Sequence, residues 1–225
     1  MLKQNLDKVF AEIGNGNCFG EPVTLVGATK TMPIETINKA VSLGLKVVAE
    51  NKVQEFNFKH EHIVGASQHF IGHLQTNKVK YLVGMVDLIH SVDSVHLAEE
   101  IDICANKKGV VQNILIEVNV GGELSKSGFS PENVIENALY IANNLSGIKV
   151  VGLMAMLPHS DDIDMLNALC KKMRSLYDTL KEKGLPFTYL SMGMSEDYMI
   201  AIKNGSNMIR LGRTIFGERN YGDKH

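Results

Sequence analysis

Short runs rich in Val, Ile and Leu recur along the chain, near residues 23–29, 46–50, 68–73, 86–91, 112–120, 148–156, 187–192 and 207–211. Runs of this length and composition read as strands with both faces covered. Between them the apolar period changes from two to about 3.6. Leu2, Leu6, Val9 and Ile13 form one face of an opening helix over 1–14. Val134, Ala138, Ile141 and Leu145 form another, and Leu166, Leu169, Met173, Leu176 and Leu180 a third. Ser130-Pro131 reads as N-cap and first helical residue, and Ser160 with Asp161 and Asp162 as a capped acidic first turn. Gly44, Gly147 and Gly184 stand just past helical runs, where C′ glycines belong. Eight strands alternating with helices, without a long linker, predict a parallel sheet, and eight such strands close into a (β/α)8 TIM barrel. An open doubly wound sheet is the alternative.

Composition adds limits. The 225 residues are 44% hydrophobic and 21% charged, which is a globular rather than a disordered balance. The length suits one barrel domain spanning 1–225, with βα units over 23–211 and a C-terminal helix and tail over 212–225. A net charge of −2 gives no basic footprint for nucleic acid. Neither an apolar signal segment nor a membrane-length apolar run is present, so no membrane partner and a cytoplasmic location are expected. Cys18, Cys104 and Cys170 are odd in number and form no CxxC pair, which argues for reduced thiols and against a disulfide framework or zinc site. His60, His62, His69, His73 and His159 lack recognisable ligand spacing, so no metal is expected. GNGNCFG (14–20) precedes the first strand and matches no nucleotide loop; it reads as a turn.

In a parallel barrel the chemistry gathers at the C-terminal ends of the strands. Lys30 ends the first strand on the face of Val26 and Ala28. A lysine there either escapes to solvent or, desolvated in the barrel mouth, becomes a nucleophilic amine. SMGMSED (191–197) follows strand seven and RLGRTIFGER (210–219) ends strand eight. Glycine turns with a hydroxyl at helix starts bind phosphate, and loops after strands seven and eight are the usual place for it. Glu117 and Asn119 share the face of Leu115, while Ile114, Ile116, Val118 and Val120 point toward the helices. Arg210 shares an inward face with Met208, where an arginine needs partners.

These segments together resemble the pyridoxal phosphate homeostasis protein family. The matching stretches are ATKTMP (28–33), ENKVQE (50–55), HFIGHLQTNK (69–78), HSVDS (90–94), EVNVGGELSKSG (117–128), GLMAM (152–156), LSMGMSEDYMIAI (190–202) and IRLGRTIFGER (209–219). The resemblance implies a barrel like the N-terminal domain of alanine racemase, with pyridoxal 5′-phosphate held as a Schiff base on Lys30. It implies that Ser195 and the Gly212-Arg213-Thr214 backbone bind the phosphate, that Arg210 faces the ring nitrogen, and that Asn51 approaches the cofactor. Lys126 and Gly128 match the loop after strand five. Three positions depart from the family pattern: Met32 where a second lysine is frequent, Lys52 for a tyrosine and Gln68 for a tryptophan.

The function so implied is intracellular homeostasis of the cofactor: a monomeric carrier that supplies apo-enzymes, without firm catalytic activity. An arginine at the ring nitrogen cannot accept a proton, which weakens carbanion chemistry. The length also leaves no room for the β-rich domain that racemases of this fold add. A minimal racemase-like enzyme acting on amino acids is the alternative, and a barrel aldolase using Lys30 without a cofactor is a third reading.

Overall fold

A computed structural model describes residues 1–123 and 126–217. Among these, eight parallel strands close a barrel in sequence order: β1 (Thr24–Ala28), β2 (Val47–Glu50), β3 (Ser67–Phe70), β4 (Leu88–Val92), β5 (Gln112–Glu117), β6 (Ile148–Met154), β7 (Tyr189–Ser191) and β8 (Met208–Leu211). Closure is made where β1 pairs with β8, Val26 lying opposite Arg210. The expected (β/α)8 fold is therefore the observed one. Strands are shorter than their apolar runs because burial continues past the point where the ladder ends. The 112–120 run leaves the sheet after Glu117, although Val118 and Val120 stay buried under the helices.

The helices are α1 (Leu2–Ile13), α2 (Ile34–Ser42), α3 (Val53–Lys59), α4 (Val95–Lys108), α5 (Val134–Asn144), α6 (Ile163–Glu182), α7 (Tyr198–Lys203) and α8 (Arg213–Phe216). The β3-to-β4 crossover is instead a 3₁₀ turn over Thr76–Tyr81. Only Val79 of that turn is buried, too little apolar surface to hold a packed helix. Inside the barrel Val26, Val47, Ala49, Leu88, Leu115, Val151, Met154 and Met208 form a closed core. The alternate residues, among them Ile114, Ile116 and Val118, pack outward under α4, α5 and α6. This two-layer burial stabilises the shell by about 1.5–3 kcal/mol for each fully buried aliphatic side chain.

Several local expectations need correction. α5 starts at Val134 with Asn133 before it, so Ser130-Pro131 lies in the turn preceding the helix. In α6 the cap is Asp162, whose carboxylate accepts from the Met165 N–H at 2.9 Å; Ser160 accepts from Asp162 N–H at 3.1 Å and braces that cap. Gly44 and Gly184 are left-handed at φ 108° and 94°, as C′ glycines should be, but Gly147 is not. Its N–H bonds Asp102 Oδ1 at 2.6 Å, tying the turn to α4. The buried stripe of α6 is Leu166, Cys170, Met173, Tyr177 and Leu180, with Leu169 and Leu176 at its edge. Cys and Tyr at helical spacing take the central positions that the leucines alone had suggested. The 14–20 stretch is a turn, pinned by Asn17 Oδ1, which accepts from the N–H groups of Phe19 and Glu21.

Candidate functional site

The turn that leaves β1 carries Lys30. Thr29 N–H bonds Ala49 O at 2.9 Å, which keeps the chain in line with β2 one residue past the strand. Thr31 then takes φ 65°, and it is the one non-glycine residue with positive φ among those described. A β-branched residue in that conformation costs about 1–2 kcal/mol, so something must hold it. The Thr31 N–H donates to Glu55 Oε2 at 2.7 Å. Lys30 is half-buried and faces a cavity of about 530 Å³ at the C-terminal ends of the strands.

Lys30, Asn51, Ser195, Arg210, Gly212 and Arg213 all line that cavity. They come from the ends of β1, β2, β7 and β8, which are neighbours around the barrel. Thr214 does not line the cavity but stands behind it. Its backbone N–H points at Ser195 Oγ at 3.3 Å, joining the turn after β7 to the start of α8. Asn51 Oδ1 is buried and accepts no hydrogen bond among the described residues. Lys126 and Gly128 lie outside the cavity lining. Lys126 Nζ donates to Glu123 Oε1 and Leu157 O, while Gly128, at φ 117°, folds the loop over Asn119. Leu124 and Ser125 of that matching stretch, and residues 218–225 of the expected tail, lie outside the described residues. Met32, Lys52 and Gln68 do not touch the cavity.

The turn after β7 is shaped by one glycine. Gly193 has φ 101°, and a Cβ there would lie 2.8 Å from the Tyr198 Cα. The close approach leaves Ser195 at the cavity wall, and Asp197 Oδ1 braces the turn by accepting from the Met194 N–H. Beside it the exposed Glu196 carboxylate holds both Arg213 and the His159 ring at the cavity edge.

Arg210 is 5% exposed. Its NH1 donates to Ser191 O at 3.0 Å and Ser191 Oγ at 2.8 Å, and NH2 donates to Ala155 O at 3.0 Å. Burial lowers its pKa to about 10, opposed by the charges of Glu117 and Asp197, and it stays protonated. Behind Ser191 the interior holds two histidines. His90 Nδ1 lies 3.3 Å from Ser191 Oγ, and His90 Nε2 lies 3.0 Å from His69 Nδ1. Burial drives both rings to the neutral form, His69 to about 4, so one proton is shared across the facing nitrogens. Glu117 is 4% exposed, and burial, reinforced by Asp93 and opposed by Arg210 and His73, raises its pKa to about 7.

Sequence reasoning missed His90 and the α3 side chains behind Lys30. His90 sits inside an apolar strand run, and an apolar neighbourhood hides a buried polar chain. The signal for Glu55 and Lys59 was their i, i+4 spacing, which reads equally well as a solvated helix pair.

Residues 23–220 match the family model for the alanine racemase N-terminal domain. A pyridoxal phosphate homeostasis protein from Aquifex aeolicus is 45% identical over 222 residues, covering 97% of this chain and 95% of that protein. The chain belongs to the pyridoxal phosphate homeostasis protein family. The family's protein from Escherichia coli K12 is 33% identical, with 99% of this chain and 97% of that one covered. PipY of Synechococcus elongatus, in a structure with PLP bound, superposes with a TM-score of 0.84 at 28% identity, covering 96% of this chain and all of that one. An alanine racemase from Clostridium difficile shares the fold, with a TM-score of 0.77 at 15% identity, and this chain covers 56% of it. The motif resemblance and the barrel thus lead to the same family.

Proposed function

We propose that this chain carries pyridoxal 5′-phosphate on Lys30 and serves its homeostasis, passing it to apo-enzymes that need it. The observation that carries the reading is one cavity lined both by the Lys30 side chain and by Ser195, Gly212 and Arg213 of the turns after β7 and β8. The residues fit the group. Lys30 supplies the amine for the cofactor's aldehyde. Ser195, with the backbone of Gly212 and Arg213 on the cavity wall, would offer hydroxyl and N–H donors to the phosphate, and the expected Thr214 contributes by bonding Ser195 Oγ from behind. Asn51, whose buried Oδ1 has no partner among the described residues, would be free to bond a polar edge of the ring.

When bound, the cofactor supplies an electron sink whose strength depends on the proton at its ring nitrogen. With the ring nitrogen toward it, Arg210 would determine that proton. A guanidinium has no acceptor, so it leaves a facing nitrogen unprotonated, and Ser191 and Ala155 fix its orientation. A weak sink suits storage and transfer rather than turnover. The chain is further read as a single-domain monomer in the cytoplasm, where its free cysteines remain reduced.

The test is the visible spectrum on adding pyridoxal 5′-phosphate. The wild type turns yellow, borohydride fixes the cofactor, and peptide mass finds it on Lys30. Lys30→Ala gains no fixed cofactor, and Ser195→Ala weakens binding about tenfold, as expected for one lost hydrogen bond to a charged group. A wild type that stays colourless overturns the carrier reading. Racemisation or decarboxylation of amino acids by the loaded protein overturns the reading without turnover.

A further inference from the structure

The backbone on both sides of Lys30 is gripped from α3. Lys59 is 6% exposed, and its ammonium has three N–H donors. They go to Thr29 O at 3.1 Å, Glu50 Oε1 at 2.8 Å and Glu55 Oε2 at 3.0 Å. Glu50 Oε1 also accepts from Thr29 Oγ1 at 2.7 Å, and Glu55 Oε2 accepts from the Thr31 N–H at 2.7 Å. The residue before Lys30 is thus held by its carbonyl and hydroxyl. The residue after it is held, by its N–H, in a left-handed conformation that a threonine does not adopt unaided.

None of these groups lines the cavity. A buried lysine between two carboxylates is poor evidence for a stabilising device, because desolvation offsets most of the attraction. Its placement points elsewhere. Every bond it organises ends at Glu50, Glu55 or the turn that carries Lys30.

We propose that Lys59, Glu50 and Glu55 form a positioning clamp that fixes the Lys30 turn and so aims its amine into the cavity for attachment of the cofactor. The inference rests on the carrier reading above. Glu55 and Lys59 are positioning residues: they touch the backbone that presents Lys30, not the cofactor. Their effect falls on the rate at which the amine meets the aldehyde. The phosphate end is held by other strands and is insensitive to them.

The test separates these two quantities. The rate at which added pyridoxal 5′-phosphate becomes fixable by borohydride on Lys30 is followed by peptide mass. Non-covalent affinity is measured by equilibrium dialysis in a Lys30→Ala background, and the unloaded proteins are melted in parallel. Glu55→Ala and Lys59→Met fix cofactor about tenfold more slowly, the scale that misaiming a reacting group costs. In the Lys30→Ala background the same changes alter affinity less than about twofold, since no phosphate contact is lost. Glu55→Gln, which keeps an oxygen for the Thr31 N–H, recovers most of the rate. In a Thr31→Asn protein, where asparagine tolerates the left-handed turn, Glu55→Ala slows fixation less.

Unchanged rates in both Glu55→Ala and Lys59→Met overturn the clamp. So does a rate that falls only in step with affinity and melting temperature, which is loosening of the whole barrel. Because Glu55 is partly exposed, its variants keep the test open should Lys59→Met not fold. Cofactor fixed on other lysines as fully in Lys30→Ala as in the parent instead overturns the carrier reading itself.

Discussion

Glu117 sits at the end of β5 with a pKa near 7, raised chiefly by burial. A carboxyl raised in the folded state favours folding in its protonated form. That contribution is complete below the unfolded value, near 4.5, and is lost as pH rises through about 7. Glu117→Gln removes it. Urea unfolding of unloaded protein should give equal stabilities for variant and wild type near pH 4, where both side chains are neutral. At pH 8 the variant should be the more stable, by up to about 3 kcal/mol. A variant less stable than wild type at pH 8 would mean that the Glu117–Arg210 attraction outweighs the burial. At this scale the sequence was informative where chemistry is local. Lys30, Ser195 and Gly212 stand at strand ends or helix starts, and their positions follow from the apolar period. Glu117 was legible as an inward polar group, but its pKa depends on Asp93, His73 and Arg210, which no spacing relates to it.

At the scale of elements, the β5–β6 pairing carries a register shift. Ile114 pairs Val150 and Leu115 pairs Gly152, so Val151 is the extra residue. Gly152, just after that residue, pairs with Tyr189 of β7 and lies so close that a Cβ would stand 1.8 Å from Tyr189 O. Because that neighbour is backbone in a closed sheet, neither partner can yield without breaking the ladder. Gly152→Ala should therefore lower stability by about 3 kcal/mol or more, the size of the larger overpacking penalties, read from the urea midpoint. An ordinary loss below about 1 kcal/mol would show that β6 can shift. Strand and helix existence were readable from the change of period between two and 3.6. Bulges and the exact caps were not. Asp162 and Ser160 are equally good cap residues, and the choice between them depends on how the loop after β6 reaches α6.

For the whole molecule, closure decides which strand ends meet. Sequence order gave eight strands, but the ring makes β7, β8, β1 and β2 a continuous arc, and the candidate site stands on that arc. Residues as far apart as Lys30 and Arg210 become neighbours because Val26 pairs with Arg210. That much follows from recognising a barrel. The α3 grip on the Lys30 turn does not, since it needs the orientation of a helix against the sheet.

Within the arc, β7 and β8 share a single register pair, Ser191 with Met208. Backbone bonds cross it from Asn207 N–H to Leu190 O, Met192 N–H to Met208 O and Arg210 N–H to Gly193 O, and side chains add to them: Asn207 Oδ1 accepts from Leu190 N–H at 2.7 Å, and Ser206 Oγ lies 3.0 Å from Leu190 O and 2.8 Å from Met192 O. Ser195 hangs from one side of this joint and the Thr214 N–H from the other. In the carrier reading the two halves of the phosphate grip can part by a local opening, with the other seven seams intact. The N–H of Met192, bonded across the joint to Met208 O, reports that opening. Its hydrogen exchange should be faster than that of the β5–β6 amides and should slow when pyridoxal 5′-phosphate is bound. Equal exchange rates with and without cofactor would rule the route out. On the carrier reading, a protein that holds a reactive aldehyde and later surrenders it needs a way out that leaves the barrel standing, and an opening of this joint would give one beside the grip.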